Sequence, residues 1–229
     1  MESTTIIIPV KDEEEGLQYL VKDYNNSVFS EDKNISFIFV IDGRTSDLSK
    51  QVASKISDKI INQNDSHGKG AAVRQALENW KINPTDFVIF MDADGSYSFS
   101  DVEHIIYSLK KGSDVVSGSR FVNKSGMPDG MGYLHNFGNR ALSKISSIKN
   151  RRKITDLCTG LWGFKSESIY KLNLNSNGFD LEAEIAGKSR IAKLLHNEVE
   201  VNWSTRKGGL SKLKSFRDGF IILLRILRT

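Results

Sequence analysis

The 229-residue sequence has one cysteine, Cys158, and only three prolines. A single cysteine excludes an intramolecular disulfide and any cysteine-rich zinc site. No apolar run approaches the roughly 20 residues of a membrane-spanning helix. The first residues also lack the positive segment and apolar core of a signal peptide, so a cytoplasmic protein is predicted. Because no proline-rich linker, repeat or low-complexity segment interrupts the chain, we expect residues 1–229 to form a single domain.

Apolar runs alternate with amphipathic segments along the first half of the chain. The runs at 4–10, 35–41 and 87–91 are typical of strands buried on both faces, and the segments between them have helical spacing. This alternation predicts an α/β fold with a mostly parallel central sheet and helices on both faces. Residues 121–132 contain four glycine or proline residues, so we expect a long loop beside the site.

Two carboxylates, Asp92 and Asp94, end the strand expected at 87–91. Open parallel sheets bind ligands just beyond the carboxyl ends of their strands. Side chains at i and i+2 point the same way from a strand, and the repulsion between two carboxylates favours a bound cation. Such oxygen ligands suit Mg²⁺ or Mn²⁺, which in turn suit a diphosphate. An aspartate-rich turn explains the same residues, and the local pattern leaves both interpretations open.

A lysine between two glycines, Lys69, precedes the helix expected at 71–80. Backbone N–H groups at a helix start favour phosphate, although neither the Walker loop nor the dinucleotide-binding glycine pattern is present. An ordinary flexible loop is the alternative.

Two further acids are candidates for the site. Asp42 also ends a buried strand, whereas Glu13 belongs to an acidic run that helix-start electrostatics would explain.

Residues 210–229 mix apolar and basic side chains and predict a basic amphipathic helix. Such a helix can lie in a membrane surface, held by its apolar area and by anionic lipid. It can equally pack on the sheet with its basic residues in solvent.

The basic cluster at 149–153 suggests a different function, that of a non-catalytic module that binds sugar nucleotides or nucleic acid. The net charge of +4 is too small to support nucleic-acid binding by itself.

Nine short motifs, in order along nearly the whole chain, are similar to those of one enzyme family. The motifs are IPVKDE at 8–13, DGRTSD at 42–47, GKGAA at 68–72, MDAD at 91–94, SGSR at 117–120, FGN at 137–139, TDLCTG at 155–160, FDLE at 179–182 and RKGGLSKL at 206–213. They resemble the family 2 glycosyltransferases of the GT-A (Rossmann-like) fold, especially the dolichyl- and polyprenyl-phosphate sugar synthases. Each motif is weak alone, but nine motifs in the same order are not expected by chance.

The resemblance implies an inverting transfer of a hexose from a UDP- or GDP-sugar to a dolichyl or polyprenyl phosphate, with no nucleic-acid partner. It also implies peripheral contact with the cytoplasmic face of a membrane. A divalent ion, Mg²⁺ or Mn²⁺, would be held by Asp92 and Asp94. The residues expected to bind the sugar nucleotide are Pro9, Glu13, Asp42, Lys69 and Asp92.

On the acceptor side, the resemblance implies that Arg120 and Arg206 receive the acceptor phosphate. Asp156 and Glu182 match acids near the sugar and the acceptor. One of them would act as base if the acceptor were instead a hydroxyl of a glycan or of a lipid-linked sugar. Relatives commonly carry an arginine where this sequence has Asn136. His135, Arg140 and Lys144 are the candidate replacements for that charge.

Overall fold

A computed structural model of the protein describes residues 2–63, 67–123, 126–209, 212 and 215–229. Among these residues, seven strands form one sheet in the order β3-β2-β1-β4-β6-β5-β7. The strands are β1 (Thr4–Val10), β2 (Ile35–Asp42), β3 (Ile60–Gln63), β4 (Phe87–Met91), β5 (Val115–Ser119), β6 (Leu161–Lys165) and β7 (His196–Glu200). Six strands run in one direction, and β6 runs antiparallel between β4 and β5. The predicted mostly parallel sheet is confirmed.

Helices cover both faces of this sheet. They are α1 (Glu14–Asn25), α2 (Ser49–Ala53), α3 (Lys69–Trp80), α4 (Phe99–Lys110), α5 (Tyr133–Asn150), α6 (Ser166–Leu172), α7 (Leu181–Ile191) and α8 (Ser215–Arg228). Alternate residues of each strand point to opposite faces, so Ile7 joins one buried core and Ile6 and Ile8 join the other. One core lies under α3, α6, α7 and α8, and the second lies under α1, α2 and α4. The result is a three-layer α/β/α arrangement.

Three elements differ from the sequence-based expectation. The edge strand expected at 199–203 occupies His196–Glu200 instead, paired with β5. The strand ends there because the backbone N–H of Asn202 donates to Asp101 Oδ1 at 2.7 Å rather than to a neighbouring strand. The helix expected at 210–229 begins at Ser215, and residues 210, 211, 213 and 214 lie outside the described part of the chain. Helix α6 was not expected from the sequence.

Candidate active site

Lys69 connects two predicted site acids that are distant in sequence. Its Nζ lies 2.7 Å from Asp92 Oδ1 and 2.6 Å from Glu182 Oε1, at the carboxyl end of β4. Burial raises the pKa of both carboxyl groups, and Lys69 opposes this rise. Burial also lowers the pKa of Lys69, but the two carboxylates outweigh burial and leave that pKa above its usual range. Glu182 therefore lies close to Asp92 in the candidate site, although a helix-start role alone could have explained it from the sequence.

Two backbone N–H groups at the start of α3 are already engaged within the protein. The amides of Gly70 and Ala71 donate to the carbonyls of Gly178 and Asn177, at 3.3 and 3.1 Å. A Cβ at Gly70 would lie 2.5 Å from the carbonyl oxygen of Ser176, so glycine permits this close approach. The helix start thus binds the loop before α7, and only the side chain of Lys69 faces the carboxylates. Phosphate contact by the Lys69 side chain stays a prediction.

A second cation, Arg206, reaches the other two acids of this edge. Its Nη1 is hydrogen-bonded to Glu13 Oε2, and its Nη2 lies 3.4 Å from Asp94 Oδ2. The backbone N–H of Lys207 donates to the carbonyl of Asp94 at 2.9 Å. Lys212 Nζ donates to the carbonyl of Asp12 and lies 3.5 Å from Glu13 Oε1. Residues 206–209 and 212, which we call the strap, therefore cross the start of α1 and cover Asp94.

Two glycines let the backbone close around the aspartate pair. A Cβ at Gly16 would lie 2.4 Å from the carbonyl oxygen of Ala93, and a Cβ at Gly160 would lie 2.0 Å from Asp92 Oδ2. The backbone N–H of Gly160 also donates to the hydroxyl of Tyr97 at 2.9 Å. Sequence reasoning did not identify Gly16 or Tyr97 as site residues. A glycine within a helix was the only available signal for the first of them.

Asp42 is buried at the end of β2 and is already paired. Arg44 donates to both of its oxygens, from Nε at 2.9 Å and from Nη2 at 2.7 Å. These hydrogen bonds lower the pKa of Asp42 to about 2 against the opposing effect of burial. His67 Nδ1 lies 3.6 Å away from Oδ1. Pro9 is partly buried in β1 opposite Val40 of β2, so it lies beside the same strand end.

Arg120 and Asp156 form a buried pair where β5 ends. Arg120 donates to Asp156 from Nε at 2.6 Å and from Nη2 at 2.7 Å, and Asn139 donates to Oδ1 at 2.7 Å. Burial lowers the pKa of Arg120, but Asp156 outweighs burial, and the guanidinium stays charged. Asp156 is fully buried, and its backbone N–H donates to Glu198 at 3.2 Å. In this arrangement the carboxylate orients Arg120.

The aspartate pair has the chemistry of a divalent-cation site but is small. Within the described residues, no cluster of three or more His, Cys, Asp or Glu is placed to hold a metal ion. Asp92 and Asp94 supply hard carboxylate oxygens, and the cations now beside them are Lys69 and Arg206. Such oxygens suit Mg²⁺ or Mn²⁺, which usually completes its coordination with water and substrate phosphate. The residues therefore fit this kind of ion.

The fold has a close counterpart among solved structures. Glucosyl-3-phosphoglycerate synthase from Mycobacterium tuberculosis matches with a TM-score of 0.74, covering 99% of this chain and 79% of that chain at 13% identity. A second crystal structure of that enzyme, in complex with Mn²⁺, UDP and phosphoglyceric acid, matches with a TM-score of 0.70. At this level of identity the likeness concerns the fold alone. The architecture is that of the GT-A glycosyltransferases, as the motifs predicted.

The family follows from the sequence. The profile described as Glycosyl transferase family 2 matches residues 5–172, and the chain belongs to this family. Glycosyltransferase AglJ of Haloferax volcanii is 29% identical over 99% of this chain and 72% of its own length. Dolichol-phosphate mannosyltransferase of Pyrococcus furiosus is 28% identical over 92% of this chain and 59% of its own length. The chain thus resembles polyprenyl-phosphate sugar synthases but spans little more than half of the second relative.

Proposed function

We propose that the protein is an inverting, metal-dependent glycosyltransferase that moves a hexose from a UDP- or GDP-sugar to a dolichyl or polyprenyl phosphate. In this proposal residues 1–229 act as one catalytic domain. The observation that carries the proposal is the edge where Lys69 and Arg206 neutralise the acids that follow β1 and β4. The similarity to the dolichol-phosphate mannosyltransferase supports the choice of acceptor.

The donor is assigned to the side of β1, β2 and β4. Pro9, Glu13, Asp42, Lys69 and Asp92 bind the sugar nucleotide. Asp42 remains ionised at neutral pH because its pKa is held at about 2. An ionised carboxylate accepts a hydrogen bond from a ring N–H, a group that uracil and guanine share. For Asp42 to read the base, Arg44 has to move aside or contact the base as well.

Asp92 and Asp94 are the residues that would hold Mg²⁺ or Mn²⁺. When bound, the ion would offset the negative charge that develops on the leaving diphosphate. The crystal structure of the related synthase with Mn²⁺ and UDP supports this assignment. Lys69 and Arg206 then turn from the aspartates toward the phosphate groups, which offer them a similar charge.

The acceptor phosphate is assigned to Arg120 and Arg206, and Arg206 also serves the donor diphosphate because it contacts Asp94. A phosphate oxygen of the acceptor attacks the anomeric carbon, the bond from that carbon to the diphosphate breaks, and the nucleoside diphosphate leaves. A phosphate oxygen is already anionic, so no protein base has to remove a proton. Asp156 serves the reaction by fixing the plane of Arg120.

The alternative acceptor is a sugar hydroxyl, and one observation favours keeping it. A hydroxyl acceptor requires a base, and burial raises the pKa of Glu182 while Lys69 contacts only its Oε1. Asp156 is the weaker candidate because Arg120 and Asn139 occupy its oxygens.

The non-catalytic module loses support, since Lys149 and Arg152 of the basic cluster donate to the carbonyls of Leu227 and Ala186.

A membrane-facing surface completes the proposal. Within the described residues, no helix is long and apolar enough to cross a bilayer. Helix α8 instead buries Ile222 and Ile226 and exposes the opposite stripe, where Phe216 and Phe220 are 82% and 61% exposed. The helix thus packs on the domain and still presents an apolar face, so the two alternatives for it are not exclusive.

Helix α5 packs against α8 and has exposed aromatic residues of its own. It exposes Tyr133 and Phe137, and Lys149 near its end donates to the carbonyl of Leu227 in α8. The basic residues Arg217 and Arg228 are exposed on α8. Apolar area flanked by arginines suits the surface of an anionic bilayer.

Vesicle co-sedimentation tests this surface. We expect the wild type to sediment with vesicles of anionic phospholipid and Phe220→Glu to remain in the supernatant. Ile82→Glu is the matched control, because Ile82 is 81% exposed after α3, on another part of the chain. Equal sedimentation of the two variants would contradict the assignment of this face to membrane binding.

The product identifies the reaction. The protein is incubated with a UDP- or GDP-hexose, Mn²⁺ and a short prenyl phosphate, and the product is treated with mild acid. A glycosyl phosphate is acid-labile, whereas a glycoside on a hydroxyl acceptor is stable. We expect an acid-labile product and a metal-dependent rise in melting temperature with one of the two nucleotides. Transfer only to a hydroxyl acceptor would replace the proposed function by its alternative.

A further inference from the structure

Phe121 lies between two guanidinium groups beside the acceptor side of the site. The Arg120 guanidinium lies 5.8 Å from the centroid of the Phe121 ring, and the Arg140 guanidinium lies 4.7 Å from it. Trp203 also contacts Arg120, at 5.7 Å. Arginine attracted to an aromatic ring keeps a defined position and leaves its N–H groups available at the edge of its plane. The ring of Phe121 is buried, so it provides a fixed support.

The two arginines differ in how their charge is balanced. Arg120 has a buried carboxylate partner, Asp156. Arg140 donates from Nε to Asn136 Oδ1 at 3.0 Å and from Nη2 to the carbonyl of Gly126 at 2.9 Å. Both acceptors are neutral, and no ion pair found among the described residues involves Arg140. Its charge is therefore uncompensated in this part of the chain.

The other cations of the site are already engaged with acids. Lys69 contacts two carboxylates, and Arg206 contacts two more. An anion that approaches from the exposed side of α5 therefore meets Arg140 without competing with a carboxylate. Arg140 is exposed, one turn after Phe137 on the same side of α5.

We propose that Arg140 binds the phosphate group of the lipid acceptor as it passes from the membrane surface to Arg120. The inference rests on the proposed function and adds a residue that sequence reasoning could not choose. His135, Arg140 and Lys144 were equal candidates for the missing charge at Asn136. The structure singles out Arg140, since it alone stacks on Phe121 and hydrogen-bonds to the Asn136 side chain.

Direct binding of a short acceptor tests the proposal. Citronellyl phosphate and its alcohol, citronellol, are titrated calorimetrically into metal-free protein, and the variants are Arg140→Gln, Arg140→Lys and Lys144→Gln. The wild type is expected to prefer the phosphate to the alcohol. Arg140→Gln should weaken phosphate binding about 10- to 100-fold, the range of one charged hydrogen-bonded contact, and leave the alcohol unaffected.

Lys144→Gln is the matched control. It removes the same charge from an exposed position one turn further along α5 and should change phosphate binding less than about twofold. Arg140→Lys should lie in between, because lysine keeps the charge without the planar fork. The proposal is overturned if Arg140→Gln binds the phosphate as well as Lys144→Gln does, or if the wild type does not distinguish the phosphate from the alcohol.

The two proposals fail in different ways. A wild type that forms a glycosyl phosphate, with Arg140→Gln binding citronellyl phosphate normally, would overturn the role of Arg140 alone. A wild type that glycosylates only hydroxyl acceptors, while Arg140→Gln still loses phosphate binding, would overturn the proposed function and leave the anion site.

Discussion

At the donor end of the site, around Asp92 and Asp94, Lys69 and Arg206 are each shared between two acids, whereas at the acceptor end Arg120 has a carboxylate of its own. Lys69 lies between Asp92 and Glu182, and Arg206 similarly contacts two acids. Asp156, by contrast, is fully buried and holds Arg120 through two hydrogen bonds. A shared cation can leave one partner and keep the other. The donor end can therefore exchange its contacts for a metal ion and a diphosphate, while the acceptor end is fixed in advance.

The net charge of the donor end also favours the binding of a metal ion. Four carboxylates face three cations there, the four being Glu13, Asp92, Asp94 and Glu182 and the three being Lys69, Arg206 and Lys212. Burial raises the pKa of Asp92, and the charge of the nearby Asp94 raises it further by a smaller amount. A surplus of negative charge favours a bound cation.

The largest expected effect comes from breaking the fixed pair. Asp156→Ala leaves Arg120 buried without its carboxylate and should lower the free energy of unfolding by about 3–5 kcal/mol. Glu182→Gln should cost less, because Lys69 keeps Asp92. Replacing both members of the fixed pair, Arg120→Met with Asp156→Leu, should cost less than Asp156→Leu alone. Urea unfolding gives the free energy of unfolding of the wild type and of the four variants. Equal losses of stability in Asp156→Ala and Glu182→Gln would contradict the difference between the two ends of the site.

The next effect concerns catalysis rather than stability. Asp94→Asn removes a charged oxygen ligand and should reduce the transfer rate at least about 100-fold, because stabilisation of the leaving group depends on the ion. Its melting temperature should change little, since Arg206 keeps Glu13. The rise in melting temperature on adding UDP or GDP with Mn²⁺ should disappear. Glu15→Gln, at an exposed acid that accepts from Gly209 of the strap, serves as control. Full activity of Asp94→Asn would refute the metal role.

A smaller effect is expected from crowding the donor end. Gly160→Ala places a methyl group 2.0 Å from Asp92 Oδ2, so the carboxylate or its strand has to shift. We expect a loss of about 1–3 kcal/mol in stability and weaker Mn²⁺-dependent nucleotide binding. Gly219→Ala in α8 meets no atom within 4 Å and is the control. Normal nucleotide binding by Gly160→Ala would show that Asp92 tolerates displacement.

The last prediction concerns the edge of the sheet near the acceptor end, where the expected effect is the smallest as long as the pH stays near neutral. Burial, with a contribution from Arg152, lowers the pKa of His196 to about 3. His196 therefore binds a proton below about pH 6.5 in the unfolded chain, but only below about pH 3 in the folded chain. Stability is complete above the unfolded pKa and falls with decreasing pH, by at most about 1.4 kcal/mol per pH unit from this group.

Replacing the histidine isolates that contribution. His196→Gln keeps a polar group beside Ser117, which lies 2.9 Å from His196 Nε2, but does not titrate. Its free energy of unfolding should fall less steeply than that of the wild type as the pH decreases from neutral. Parallel slopes for His196→Gln and the wild type would refute the lowered pKa of this partly buried histidine.

The donor end was predictable from the sequence to a greater extent than the acceptor end. Strands β1, β2 and β4 are uninterrupted apolar runs, and acids at their ends have to meet at one edge of a parallel sheet. Asp42 and Asp92 could therefore be placed without a structure. The pairing of cations with acids could not, since 113 residues separate Lys69 from Glu182. A contact of that kind depends on tertiary packing, which no local pattern encodes.

The acceptor end carries weaker local signals. Strand β7 has mixed burial and a polar sequence, so alternation located it three residues too late. The antiparallel direction of β6 depends on its insertion between β4 and β5, a feature of topology and not of composition. Asp156 was assigned to the site by resemblance, and no local pattern indicated that Arg120 and Asn139 would occupy its oxygens.

The insertion of β6 also has a consequence for the order of events during synthesis. Strands β1 to β4 pair only with one another until β6 arrives, and they lie within residues 4–91. Strand β5 is made earlier than β6 but pairs only with β6 and β7, so it has to wait for Leu161–Lys165 and for closure of a longer loop. We therefore expect the amides of β1 and β2 to gain protection before those of β5 in pulse-labelled hydrogen exchange. The nascent chain would then shape the pocket for the nucleotide before it can shape the one for the acceptor.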